Sequence, residues 1–330
     1  MRTPHYNQKY GSGGRRQASG PSSYHMRPMP PRQLDAAEAK FLAGTAVDPS
    51  PRIRLEDGSS ELTMRAMDLI CPIGMGQRGL IVAPPGSGKT TFLKHICQAV
   101  GKGSPQVKLY CLLVDERPEE VTDFKRSVTA EVRASSIDQG YEHHVETADS
   151  LMKQVMREAG NGENVMVLID SLTRLARVHN AERRSSGRTI SGGLDARALE
   201  VPRRIFGAAR KIEHGGSLTI LATILVETGS RMDDVIFEEF KGTGNMEIVL
   251  SREISNRRIF PAIDIAQSGT RKIELLLPPD ELDLVTKIRR VLAGQEKVAA
   301  TTALVEQLQK YPSNKDLLAA VSAITGDLSA

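Results

Sequence analysis

The segment Ala83-Pro-Pro-Gly-Ser-Gly-Lys89-Thr90 brings glycine, lysine and a hydroxyl together in the order that a phosphate cradle requires. In such a loop the backbone N–H groups of Gly86, Ser87, Gly88 and Lys89 curl around a β-phosphate at a helix N-terminus. Lys89 adds a point charge toward the γ-phosphate, Thr90 offers a hydroxyl to Mg²⁺, and Thr91 extends the nucleotide-binding set. One position departs from the usual pattern, with Ala83 where the first glycine normally stands. Phosphoryl transfer also needs carboxylates. Asp170 closes the apolar run Val165-Met-Val-Leu-Ile169, where it reads either as a ligand in the Mg²⁺ shell or as the N-cap of the helix that follows. Asp115, Glu116, Glu119 and Glu120 crowd the end of a second apolar run, Leu109 to Asp115, and residue type leaves open which of them polarises the attacking water. A cation for charge developing on the γ-phosphate is available in Arg257, Arg258 and Arg271, and spacing does not choose among them.

These groups meet only if the elements carrying them share one end of a sheet. From about Ala46 onward, apolar runs alternate with amphipathic stretches, which predicts an α/β fold: a mostly parallel sheet covered by helices on both faces. Strands are expected at Leu80 to Ala83, Lys108 to Asp115, Val165 to Asp170, Leu218 to Val226 and Met246 to Leu250. Helices are expected at Thr90 to Val100, Thr147 to Ala159 and Leu172 to Glu182, with a start or kink at Pro202. From about residue 280 the pattern is helical only, over Glu281 to Ala293, Thr301 to Gln309 and Asn314 to Ile324. In an open parallel sheet the strand C-termini line one crevice, so the predicted strands deliver the glycine loop and the two acidic strand ends to one place.

Composition sets limits. With 40% hydrophobic and 25% charged residues in 330, the chain is long and apolar enough for a large core. No run of about 18 apolar residues exists to span a bilayer, and no signal-peptide core opens the chain, so the cytoplasm is the expected compartment. Cys71, Cys97 and Cys111 are far apart and form no CxxC, which predicts a reduced, metal-free set of thiols. Residues 1–45 read as a disordered basic tail rich in Gly, Ser, Pro and Tyr, and 46–330 as the folded domain. The formal charge of +4 depends on that tail, because Arg2, Lys9, Arg15, Arg16, Arg27 and Arg32 all precede the first acid, Asp35; without those six the body stands near −2. A polyanion would therefore be gripped by local arginines rather than by a global field.

Longer blocks carry a resemblance. Pro72 to Pro85, Val114-Asp-Glu-Arg-Pro-Glu-Glu-Val121, Asp170-Ser-Leu-Thr-Arg-Leu-Ala-Arg177, Phe206-Gly-Ala-Ala-Arg210 and Phe237 to Met246 together resemble the Rho termination factor family. The likeness runs from about Ala46 to Ala293. It implies a RecA-like P-loop ATPase, a homo-hexameric ring with ATP and Mg²⁺ between subunits, translocation on single-stranded RNA, and RNA polymerase as a further partner. It implies Glu116 as the catalytic carboxylate, Arg271 as an arginine finger given in trans, Arg258 as an interface arginine near the nucleotide, and Phe260 stacked on adenine. It also places two RNA loops, one with Arg188, Thr189, Gly192 and Gly193, the other with Ser230 and Arg231. Arg231 stands where the family has lysine, and Gln267 where it often has arginine. The family carries an OB-fold RNA-loading domain ahead of the ATPase core; here only the basic tail is expected in that position. The competing classes are a ring-joining paralogue without turnover and a different RecA-like ATPase.

Overall fold

The computed structural model describes residues 34–183 and 193–327, so the tail expected over 1–33 lies outside the described residues. In chain order come helix α1 (Ala36–Ala43), strands β1 (Ala46–Val47) and β2 (Arg52–Ile53), helix α2 (Leu62–Ile70), and strands β3 (Ile73–Gly74) and β4 (Arg78–Ala83). The next units are α3 (Lys89–Gly103), β5 (Val107–Glu116), α4 (Pro118–Ser127), β6 (Glu131–Ser136), α5 (Tyr141–Gly160), β7 (Asn164–Asp170) and α6 (Leu172–Arg183). Then follow α7 (Glu200–Gly207), β8 (Arg210–Ile212), β9 (Ser217–Leu225), α8 (Arg231–Phe240), β10 (Met246–Val249), α9 (Arg252–Asn256) and β11 (Gly269–Thr270). Helices α10 (Pro279–Ala293), α11 (Lys297–Lys310) and α12 (Asn314–Asp327) close the described chain.

The main sheet runs β11-β10-β4-β9-β7-β5-β6. Its central pairs, from β10 through β4, β9, β7 and β5 to β6, are all parallel. Within this sheet the named antiparallel pairs are β11 on β10, β8 on β9 and β1 on β8, and β2 and β3 form a separate antiparallel pair. The central strands β4, β7 and β9 are largely apolar because both faces are covered, and alternate residues enter different cores. Met166 and Leu168 of β7 join Cys111 and Leu113 of β5 under α2 and α3. Val165, Val167 and Ile169 join Leu112 and Val114 on the other side, under α5 and α6.

The folded region starts earlier than the sequence reading placed it. Ala36–Ala43, assigned there to the tail, is a helix with a full capping box: Glu38 N donates to Asp35 Oδ1 at 2.8 Å, and Asp35 N to Glu38 Oε2 at 3.1 Å. Phe41 is buried beneath the Arg210 guanidinium, 5.7 Å from the ring centre. One buried aromatic and a reciprocal cap hold this helix of about two turns, and neither shows in overall composition. Pro202 falls in the first turn of α7, where its missing N–H costs nothing.

Candidate active site

The glycine loop is built where β4 ends. Ser87 folds back, its N–H and hydroxyl donating to Pro84 O at 3.2 and 2.7 Å. Gly86 and Gly88 take φ of +77° and +89°, a region in which a side chain is strained, so glycine is required for the turn. Gly88 is the N-cap of α3 and has no side chain to close the first turn, which leaves its leading N–H groups pointing outward for an anion. Lys89 starts the helix, Thr90 is half-buried, and Thr91 is exposed.

Three charged side chains converge beneath this loop. Lys89 Nζ lies 2.5 Å from Asp170 Oδ1 and 3.4 Å from Glu116 Oε1. Both acids are almost fully buried, at 3% exposure, so their charges are felt strongly. Thr223 Oγ1 donates to Asp170 Oδ1 at 2.7 Å, and it can do so because β7 and β9 run side by side in register. Ser171, not Asp170, caps α6, its hydroxyl accepting from Arg174 N at 3.2 Å. The capping reading of Asp170 is thereby set aside. Asp115 at φ +57° and a register shift between Val114 and Glu116 turn the Glu116 side chain inward at the strand end. Arg174, which sequence reasoning passed over, braces it: Nη2 donates to Glu116 Oε2 at 3.1 Å and Nη1 to Asp115 O at 2.5 Å.

Burial pushes the Glu116 carboxyl up to about 7, against the pull of Lys89 and Arg174 and with the push of Asp170. Burial works against the Lys89 ammonium as well, but Asp170 and Glu116 outweigh it and hold the lysine above its ordinary range. The cluster is thus a buried acid near neutrality beside a firmly charged lysine, at the mouth of an anion-binding turn. Such a combination can bind a polyphosphate and accept a proton from water.

Other residues singled out in the sequence are sorted by the fold. Phe260, 46% exposed, comes within 3.7 Å of where a Gly88 side chain would project, so an open aromatic face borders the loop. Ser255 Oγ donates to Gly86 O at 2.9 Å, and Arg258, exposed at φ +59°, follows it by a turn whose N–H reaches Ser255 O. Arg271 is elsewhere. It follows β11, and its N–H bonds to Asn245 O at the start of β10, whereas the loop leaves the end of β4. At about 3.3 Å per residue, β4 alone separates them by roughly 17 Å. No side chain crosses that gap within one subunit.

Of the two loops expected to meet RNA, Arg188, Thr189 and Gly192 of the first lie outside the described residues. Gly193 is described, at φ +77°. Ser230 is the N-cap of α8, and Arg231, exposed, is its first residue. Helix α6 reaches both regions, a link that the sequence signalled only as an i, i+3 spacing of polar residues. Arg177 grips the buried Asp233 of α8 with Nε and Nη2. Asn180 donates to Gly193 O at 3.1 Å and accepts from Asp195 N at 2.8 Å.

A family model described as ATP synthase alpha/beta family, nucleotide-binding domain, matches residues 63–270. The chain belongs to this family. Within it, the chain is 52% identical to Transcription termination factor Rho of Mycobacterium tuberculosis (strain ATCC 25618 / H37Rv) over 281 residues, covering 85% of this chain and 47% of that protein. It is 50% identical to Transcription termination factor Rho of Haemophilus influenzae over 275 residues, covering 82% and 66%. The chain thus spans about half the length of the mycobacterial relative. The fold also matches an ATPase of the type III secretion system of pathogenic bacteria, with TM-score 0.71 and 23% identity over 92% of this chain and 93% of that one. The assembled ATPase EscN matches with TM-score 0.67 and 22% identity, over 92% and 78%. The parallel sheet expected from the sequence is therefore the family's nucleotide-binding fold, and among the described residues no helix is long and apolar enough to cross a membrane.

Proposed function

We propose that the chain is the motor core of an ATP-dependent, Rho-like RNA translocase that works in the cytoplasm and acts in transcription termination, with RNA polymerase as a partner. The observation that carries the reading is the contact of Lys89 with both Asp170 and Glu116 under a glycine loop, while Arg271 stands at the far end of the same strands. The site is half built in one subunit, and the similarity to Rho supports a homo-hexameric ring that completes it.

In this reading the loop N–H groups and Lys89 bind the phosphates, and Phe260 stacks on adenine. Arg258 lies beside the loop as an interface arginine. The hard oxygens of Thr90 and Asp170 suit Mg²⁺ and would hold it, and the bound ion neutralises charge on the phosphate oxygens. Lys89, now paired with Asp170, exchanges that partner for phosphate. Glu116, braced by Arg174, orients water and takes its proton. A neighbour's Arg271 meets charge developing on the γ-phosphate. Arg188, Thr189, Gly192, Gly193, Ser230 and Arg231 face single-stranded RNA, with Arg231 offering a planar fork to phosphate.

The test is ATP hydrolysis with Mg²⁺, comparing single-stranded RNA, single-stranded DNA and no polymer, against a Lys89→Ala variant. RNA-stimulated turnover lost in the variant is expected. Turnover no faster than the variant's would reject the motor reading, and equal stimulation by DNA would reject RNA as the track.

A further inference from the structure

Arg271 is anchored by its backbone and free at its side chain. Asn245, whose O accepts the Arg271 N–H, is itself fixed: its side-chain oxygen accepts from Gln77 Nε2 at 2.6 Å and from Arg78 N at 2.9 Å. Among the described residues the Arg271 guanidinium has no hydrogen-bonded or ion-paired acceptor. Something must still orient it, since a long side chain in water samples many rotamers.

The sheet register supplies a candidate. Antiparallel pairing sets Glu247 of β10 opposite Gly269 of β11, and Met246 opposite Thr270. Arg271 lies two residues beyond Gly269 and so returns to the face that Glu247 occupies, at the diagonal position that long side chains can span. Both residues line one cavity of about 300 Å³, together with Gly242, Gly244, Gln267 and Gly269. The glycines put no side chain between them, and Glu247 is the one carboxylate on that lining. It is half-buried and, like Arg271, has no direct partner among the described residues. Burial raises its carboxyl above the usual range, while Lys241 and then Arg271 pull it back.

We propose that Glu247 is a positioning residue for Arg271: across the glycine-lined cavity its carboxylate orients the guanidinium toward the subunit seam, where a neighbour's γ-phosphate receives it. The proposal rests on the ATPase reading above. Glu247 touches no phosphate. Its loss therefore affects the chemical step through the geometry of the finger and leaves ATP binding alone.

The experiment measures kcat and KM for ATP in the RNA-stimulated full chain, together with the thermal unfolding midpoint, for Glu247→Gln and Glu247→Asp. Glu247→Gln is expected to lower kcat about tenfold with KM and midpoint unchanged, and Glu247→Asp to recover part of the loss. Turnover in Glu247→Gln equal to that of the unsubstituted chain overturns the proposal. So does a rise in KM without a fall in kcat, or a loss of turnover in both variants matched by a lower midpoint. If the unsubstituted chain hydrolyses no ATP above its Lys89→Ala variant, the ATPase reading falls and this proposal with it; activity in the unsubstituted chain distinguishes the two failures.

Discussion

Glu116 is half-titrated near neutrality, because burial lifts its carboxyl to about 7. A general base must be ionised, so the sign is fixed: turnover rises as pH climbs through about 7 and levels off above it. When Lys89 turns to phosphate, Glu116 loses one of the cations that favour its charge, which keeps the limb from moving lower. For folding the sign is opposite. An acid whose folded value is raised contributes stability below its ordinary range, and that contribution is gone once pH passes about 7. A profile of kcat against pH at saturating ATP should show an acidic limb with an apparent pKa near 7, and a flat profile between about pH 6 and 8 would remove Glu116 as base. Much of the site's geometry was legible in the residues themselves. The glycine loop and the strand-ending Asp170 are local patterns, each written within a few consecutive positions. Thr223 and Arg174 were not legible, because their partners lie 53 and 58 positions away and meet them only through the sheet.

Helix α6 links the site to the proposed RNA face. Arg174, Arg177 and Asn180 recur every third residue, so one stripe of the helix meets Glu116, Asp233 and Gly193 in turn. A rigid rod with polar contacts at both ends can pass a displacement from the proposed RNA face to Glu116. Arg177→Ala should lower the ratio of RNA-stimulated to RNA-free turnover several-fold, and an unchanged ratio would show that the rod carries no signal. Helix α2 is held by a different device. The buried Arg65 donates to Leu308 O at 2.6 Å and to Asn314 Oδ1 at 3.3 Å, and lies 3.3 Å from Glu56, so it pins α2 to the C-terminal helices. Removing it strands these acceptors away from water; Arg65→Ala should cost on the order of 3 kcal/mol in denaturant unfolding, and a change below about 1 kcal/mol would mean that packing alone holds the contact. Elements were legible where burial on two faces wrote unbroken apolar runs, as in β5, β7 and β9. Strand β6, Glu-Val-Arg-Ala-Ser-Ser, is not among the expected strands because at the sheet edge, with one neighbour, it carries no apolar run. Helix α2 is not among the expected helices although its sequence is amphipathic, and the fold buries its polar side, Arg65 and Asp68, along with its apolar one.

The whole molecule separates the groups that the proposed reaction would bring together. The loop sits at one end of β4 and Arg271 beside the other, and no reading of spacing alone could place that arginine. Arg271→Ala should leave nucleotide affinity largely intact while turnover falls about a thousandfold or more. Mixed with Lys89→Ala subunits, it should regain activity, since each variant presents the half that the other lacks. Failure of the mixture to recover would remove Arg271 as a finger given in trans. The same separation gives every copy a leading and a trailing side. Joined head to tail in an open row, the first copy would hold a nucleotide with no finger to fire it, and the last would present a finger to nothing. In the proposed reaction only a row whose last member meets its first leaves no engine idle, so a circle would be a demand of that chemistry before it is a shape for threading a strand.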